Sequence, residues 1–127
     1  MITRTTNEQL EGIVYTPFNM LRGICTMHDI NVQGVVVRVI GAFPSKDYPN
    51  TWDLYFVLMD PQSLIEKEVL LYLEDPDGMY IVQQGHWLTF TDVKYEGTSE
   101  TEGRIICGPE LDLEYISNSS RRNSPQP

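Results

Sequence analysis

The chain is predicted to be all-β, a small five-stranded Greek-key barrel with short helical turns. Three observations predict it. The apolar residues fall in strand-length runs rich in β-branched and aromatic side chains. No window keeps a helical period beyond about two turns. Prolines, glycines and Asn/Asp clusters interrupt the runs at the places where strands must turn. At 127 residues the chain is one domain's worth of polypeptide, and its 41% hydrophobic and 21% charged content is that of an ordinary globular protein.

The first long strand is predicted over residues 30–42, with Gly34 placed where a bulge would sharpen its curvature and let it serve two sheets. Residues 43–50 carry Pro44 and Pro49, which remove ladder donors and mark a loop too long for a tight turn. Strands follow over residues 52–59 and 67–73, separated by the turn Asp60-Pro61-Gln62-Ser63. Asp75-Pro76-Asp77-Gly78 breaks the sheet, and Met79 to Val82 has room for one helical turn before Gly85. A strand over residues 86–95 leads to a polar, exposed loop over 96–103. Residues 104–107 and 111–116 complete the sheet, interrupted at Gly108-Pro109, and Thr16 to Leu21 forms a short turn covering one barrel end. This count and order are those of the OB fold; a sandwich wants about seven strands and an SH3-like barrel is shorter. The barrel is expected over residues 15–116, with a flexible N-terminus over 1–14 and a disordered tail or linker over 117–127, where proline is the one apolar residue type.

No apolar run approaches the roughly 18 residues of a spanning helix, and residues 1–4 build no signal peptide, so a soluble, intracellular protein without membrane partners is expected. Cys25 and Cys107 lack disulfide-framework and zinc spacing and are read as small buried hydrophobes. His28 and His86 share no ligand spacing, the Asp75 turn fails the calcium-loop pattern, and no nucleophile with a base stands out. No enzyme, metal or cofactor is expected.

The net charge of −9 repels phosphate. A nucleic-acid ligand would then be held by a local patch and by stacking. Phe43, Tyr48, Trp52, Tyr55, Tyr72, Tyr80, Trp87 and Tyr95, several beside Lys46 or Lys94, supply rings of the kind on which single-stranded bases stack. Strand alternation puts Leu71 and Leu73 opposite Tyr72, and two leucines against one favour an outward Tyr72 ring.

The ordered set Tyr15-Thr16-Pro17-Phe18-Asn19-Met20-Leu21, Gly34-Val35-Val36, Pro44-Ser45-Lys46, Trp52 through Asp60-Pro61, and Leu70-Leu71-Tyr72 resembles the first OB fold of the telomere end-protection (Protection of Telomeres) family. The resemblance runs from Tyr15 to Tyr95. It implies a nuclear, non-enzymatic binder of G-rich single-stranded DNA at the telomeric region of the chromosome, acting in end protection or telomere length control alongside other telomere proteins. It implies stacking on Tyr72, contacts from Phe43 and Lys46, and further contacts near Lys94 and Tyr95; Tyr48 and Trp52 join these as DNA-binding candidates from the aromatic inventory. Thr51 precedes Trp52 where the family tends to have aspartate, which removes a carboxylate acceptor for a base edge. The alternative is a divergent acidic OB module that serves as a protein-interaction subunit of a telomere or single-strand-binding complex, with weak or no DNA binding. The DNA repeat, the footprint and the oligomeric state are left open by the sequence.

Overall fold

The computed structural model describes residues 2–3, 13–74, 81–108 and 113–115. Its strands are β1 (Ile2–Thr3), β2 (Thr26–Pro44), β3 (Trp52–Met59), β4 (Glu66–Leu73), β5 (Trp87–Gly97), β6 (Gly103–Cys107) and β7 (Leu113–Tyr115). Five of them close a ring in the order β2-β3-β4-β6-β5 and back to β2, with β4 and β6 parallel and the other ring pairings antiparallel. This is the OB-fold Greek-key barrel. β7 extends the edge of β5 over Leu88–Phe90, and β1 lies parallel to β7. Ile2–Thr3, which composition places in a loose end, thus pair as strand. The tail beyond 116, the Asp75 turn, and Met79 and Tyr80 of the Met79–Val82 turn lie outside the described residues.

β2 is longer than its apolar pattern suggests, because Thr26 to Asp29 are carried into the sheet by pairing with β5 rather than by their own propensity. It bends at two irregularities against β3, where Val37 and Ile40 have no opposite residue. Gly34 is not at either of them. Its role is close approach, since a Cβ there would meet the carbonyl oxygen of Met59 and sit 3.0 Å from Leu58 Cγ. Asp29 (φ 57°) and Asp92 (φ 57°) take left-handed backbone at the slips between β2 and β5, a conformation that a short polar side chain tolerates.

The core follows from alternation. Val32 and Val36 of β2, Leu54, Phe56 and Leu58 of β3, Val69, Leu71 and Leu73 of β4, Leu88, Phe90, Val93 and Tyr95 of β5, and Ile105 and Cys107 of β6 all point inward. The expected turn near the N-terminal side is a 3-10 turn, Phe18–Met20, whose buried Phe18 and Leu21 cover one barrel end. Asp60 fixes it: Oδ2 accepts from the Phe18 N–H (2.9 Å) and the Ser63 hydroxyl (2.9 Å), while Oδ1 accepts from the Gln62 N–H (3.0 Å). Cys107 is buried as expected, but Cys25 is exposed, because it precedes β2 and falls on no inward position.

Gly34→Ala is expected to destabilise the barrel by about 1–3 kcal/mol, since the β3 backbone cannot retreat without breaking the β2–β3 ladder. Urea denaturation of the two proteins checks this.

Candidate nucleic-acid interface

Register builds a face on the outside of β3 and β4. Their inward residues being Leu54, Phe56, Leu58, Val69, Leu71 and Leu73, the outward positions include Asp53, Tyr55 and Val57 on β3 and Glu68, Leu70 and Tyr72 on β4. Asp53 stands opposite Tyr72 on one side and Phe43 on the other, and Tyr55 stands opposite Leu70 and Gly41. The Phe43 ring, 52% exposed, leans toward Tyr55 with centroids 6.1 Å apart at 56°. Gly41 permits this lean, since a Cβ there would come within 3.2 Å of Phe43 Cζ.

The loop over residues 45–51 folds back onto that face. Ser45 Oγ accepts from the N–H groups of Asp47 (3.2 Å) and Tyr48 (3.2 Å), and the Ser45 N–H donates to the Thr51 carbonyl (2.8 Å). Tyr48 is thereby set edge-on against Tyr72, centroids 4.8 Å apart at 75°. The Tyr72 hydroxyl donates to Asp47 Oδ2 at 3.4 Å. Burial, then the neighbouring carboxylates of Asp47 and Asp53 together with that hydrogen bond, push the Tyr72 phenol up to about 12. Lys46 of the same loop is exposed.

Between these rings lies the feature that the sequence reading missed. Asp53 Oδ1 is buried and has no hydrogen-bond partner among the described residues. A buried carboxylate oxygen without a donor costs desolvation free energy, and a ligand N–H relieves it. Its position next to Trp52 and its parity with Tyr55 were available signals. Arg104 was missed too: from β6 its guanidinium lies 5.4 Å from the Tyr55 ring centroid and binds Glu68 at 2.8 Å. Beyond Arg104 the surface turns acidic, with a groove of about 260 Å³ lined by Glu68, Glu96, Glu102, Thr98, Gly103 and Arg104.

The seven predicted residues divide. Phe43, Lys46, Tyr48 and Tyr72 come together at loop 45–51 and the adjoining strands. Trp52 lies half-buried on Leu54's side of β3, turned away from the face that carries Tyr55. Lys94 points outward from β5, but two strands from β4, roughly 10 Å away by strand spacing, and it is bound to Glu96 at 3.1 Å. Tyr95 is not a contact residue: it is 0% exposed in the core, where Val93 and Tyr95 share the inward parity of β5. Its hydroxyl meets Lys67 Nζ at 3.3 Å. Among the described residues no group of three or more His, Cys, Asp and Glu side chains is placed to hold a metal.

The ring closure and the long shared strand define an OB-fold barrel, a class whose usual ligand face is formed by the second and third barrel strands, here β3 and β4, with two flanking loops. Among solved structures the chain is similar to fission yeast Pot1, in a crystal structure with single-stranded DNA. The TM-score is 0.61 at 18% identity, over 89% of this chain and 40% of that one. No family model matches the sequence, and no curated protein matches it.

Two outcomes test this geometry. Tyr95→Ala is expected to cost about 3–5 kcal/mol of stability, because it empties a core position. Tyr72 raises stability below pH 10, its unfolded value, and that contribution disappears as pH climbs through about 12, its folded value. In a residue-resolved phenolate titration the Tyr72 midpoint should lie near 12, and Asp47→Asn should move it downward.

Proposed function

We propose that the chain binds single-stranded DNA on the β3–β4 face, with bases stacked against Phe43, Tyr55 and Tyr72 and with Tyr48 as the loop-borne ring of the same platform. The observation that carries this reading is the unpartnered Asp53 Oδ1 at the centre of those rings. A carboxylate oxygen accepts from base N–H groups, and guanine offers adjacent ring and amino donors on the edge that a single strand leaves free. Asp53 therefore supplies the acceptor that Thr51 does not, and it favours G-rich sequence. The Pot1 likeness supports the same class of ligand. We extend it to a non-catalytic role at G-rich chromosome ends in the nucleus, alongside other telomere proteins.

Stacking supplies most of the affinity, each base–ring contact being worth about 1–3 kcal/mol. Cations supply little: Lys46 and, on β2 opposite Val57, Arg38 are exposed, whereas Arg104 and Lys94 are paired with carboxylates. The strand must also keep its phosphates clear of the Glu68–Glu96–Glu102 groove. The footprint therefore lies toward loop 45–51.

Titration against G-rich, C-rich and duplex oligonucleotides tests the reading. G-rich single strand should bind best, with a log–log salt slope of about −1, as for one or two neutralised phosphates. Tyr72→Ala should weaken binding by about 1–3 kcal/mol, and the lost Tyr48 contact should cost about 0.5–1.5 kcal/mol of stability, well below the cost of emptying a core position. Asp53→Asn should leave stability unchanged or raised while reducing the preference for G-rich over C-rich strands. Absence of binding to every oligonucleotide at micromolar protein, together with a co-purifying partner, would return the protein-scaffold reading in its place.

A further inference from the structure

At the barrel end covered by Phe18 and Leu21, the side chain of Lys67 is only 7% exposed. Its Nζ donates to the Thr101 carbonyl (2.8 Å) and to Tyr95 Oη (3.3 Å), and it stands 5.3 Å from the Tyr95 ring centroid. An ammonium has three donors. These two bonds leave one of them unassigned. Among the described residues no carboxylate lies within 4.0 Å of Nζ, so this buried cation has no direct ion-pair partner and Glu102 acts on it only at longer range, and a buried charge without a paired partner is costly.

The missing partner has room. Lys67 opens into a cavity of about 180 Å³ whose wall includes Phe18, Leu21, Ile65, Thr101 and Arg22. A cavity of about 150 Å³ with aliphatic and aromatic walls is large enough to hold benzene. Arg22 and Glu100 also line this cavity, bound to each other at 2.6 Å, so that pair brings no net charge and Lys67 is the unpaired cation of the site. Burial holds the Lys67 amine below its usual value, Arg22 lowers it further, and Glu102 partly offsets both.

We propose that this cavity binds a small carboxylate with an aromatic or branched apolar body, the Lys67 ammonium serving as counter-ion and Phe18, Leu21 and Ile65 as the apolar wall. A free acid and the C-terminal residue of a peptide present the same chemistry. The site is independent of the DNA-binding reading, since neither Lys67 nor its apolar wall belongs to the β3–β4 outer face.

The chain has three lysines, Lys46, Lys67 and Lys94, so 13C-ε-lysine NMR follows Lys67 directly, with the Lys46→Arg and Lys94→Arg variants giving the assignment. Phenylacetate, phenylacetamide, acetyl-Gly-Phe and its C-terminal amide are the probes. The expected result is a saturable change at Lys67 with a carboxylate probe in the millimolar range, about tenfold tighter than with the matching amide, and a rise of the Lys67 midpoint toward 10.5. Affinity should fall as pH rises through the depressed Lys67 midpoint, because the neutral amine offers no counter-charge; Arg22, Glu100, Glu102 and Tyr95 are the other ionisable groups around it. Phenylacetate binding without acetyl-Gly-Phe binding assigns the site to free acids, and the reverse to a peptide terminus. Followed by titration calorimetry, Lys67→Met should abolish binding and keep the fold, and Ile65→Trp should block the cavity while leaving Lys67 in place. Equal affinity for acid and amide, binding that survives Lys67→Met or Ile65→Trp, or no saturable change at Lys67 would overturn the proposal.

Discussion

β2 is hydrogen-bonded to β5 over Thr26 to Val35 and to β3 over Val35 to Pro44, the two ladders meeting at Val35. One strand serving two neighbours in succession must bend where it changes partner, and the unopposed residues Val37 and Ile40 fall just beyond that point. The bend swings β3 and β4 around until β4 reaches β6, where Val69, Leu70 and Leu71 pair in parallel with Ile105, Ile106 and Cys107. Without it the sheet would stay open and leave two long edges. Inward alternation then yields a single cluster in which Phe56 and Phe90, from opposite sides of β2, bring their ring centroids to 6.2 Å.

The same bend places the candidate site. Once β2 has left β5, its second half, β3 and β4 present a surface whose outward positions are filled by rings at one end and acids at the other. Phe43, Tyr55 and Tyr72 surround Asp53 next to loop 45–51. Glu68, Glu96 and Glu102 line the groove on the far side of Arg104. Arg104 marks the border, its charge held by Glu68 and its plane near Tyr55. The chain's net charge is thus a poor guide to the field at any one point, since screening limits exposed charges to about 8–10 Å.

Strand positions were legible because period-two runs of Val, Ile, Leu and aromatic residues leave little ambiguity, and the outward Tyr72 followed from Leu71 and Leu73. Other features were not. The entry of Thr26 to Asp29 into β2 depends on β5, and the reason for Gly34 lies in the backbone of β3, at residues remote in sequence. Tyr95 was misjudged although the signal was present: Val93 and Tyr95 share parity, and a valine inward on β5 carries the tyrosine inward with it. Asp53 shares outward parity with Tyr55, but the burial of its Oδ1 without a donor depends on neighbouring strands and is not written in the local pattern. The Arg104–Tyr55 contact joins strands far apart in the chain, and no local pattern contains it.

Loop 45–51 bears on how a base would reach this face. Tyr48 lies edge-on against Tyr72 and Asp47 accepts from its hydroxyl, so the ring is already engaged within the chain. An aromatic pair contributes about 0.5–1.5 kcal/mol beyond area burial, whereas a base stacked on a ring contributes about 1–3 kcal/mol. Exchange of one for the other is therefore favourable by a small margin at each ring, and affinity has to accumulate over several rings or come from a group that has no partner beforehand. Asp53 Oδ1 is such a group. Its first hydrogen bond to a base breaks no hydrogen bond within the chain, although the side chains that cover this oxygen must move aside, so in the proposed reading the carboxylate, rather than the rings, sets which base is preferred, while the rings set how tightly any strand is held.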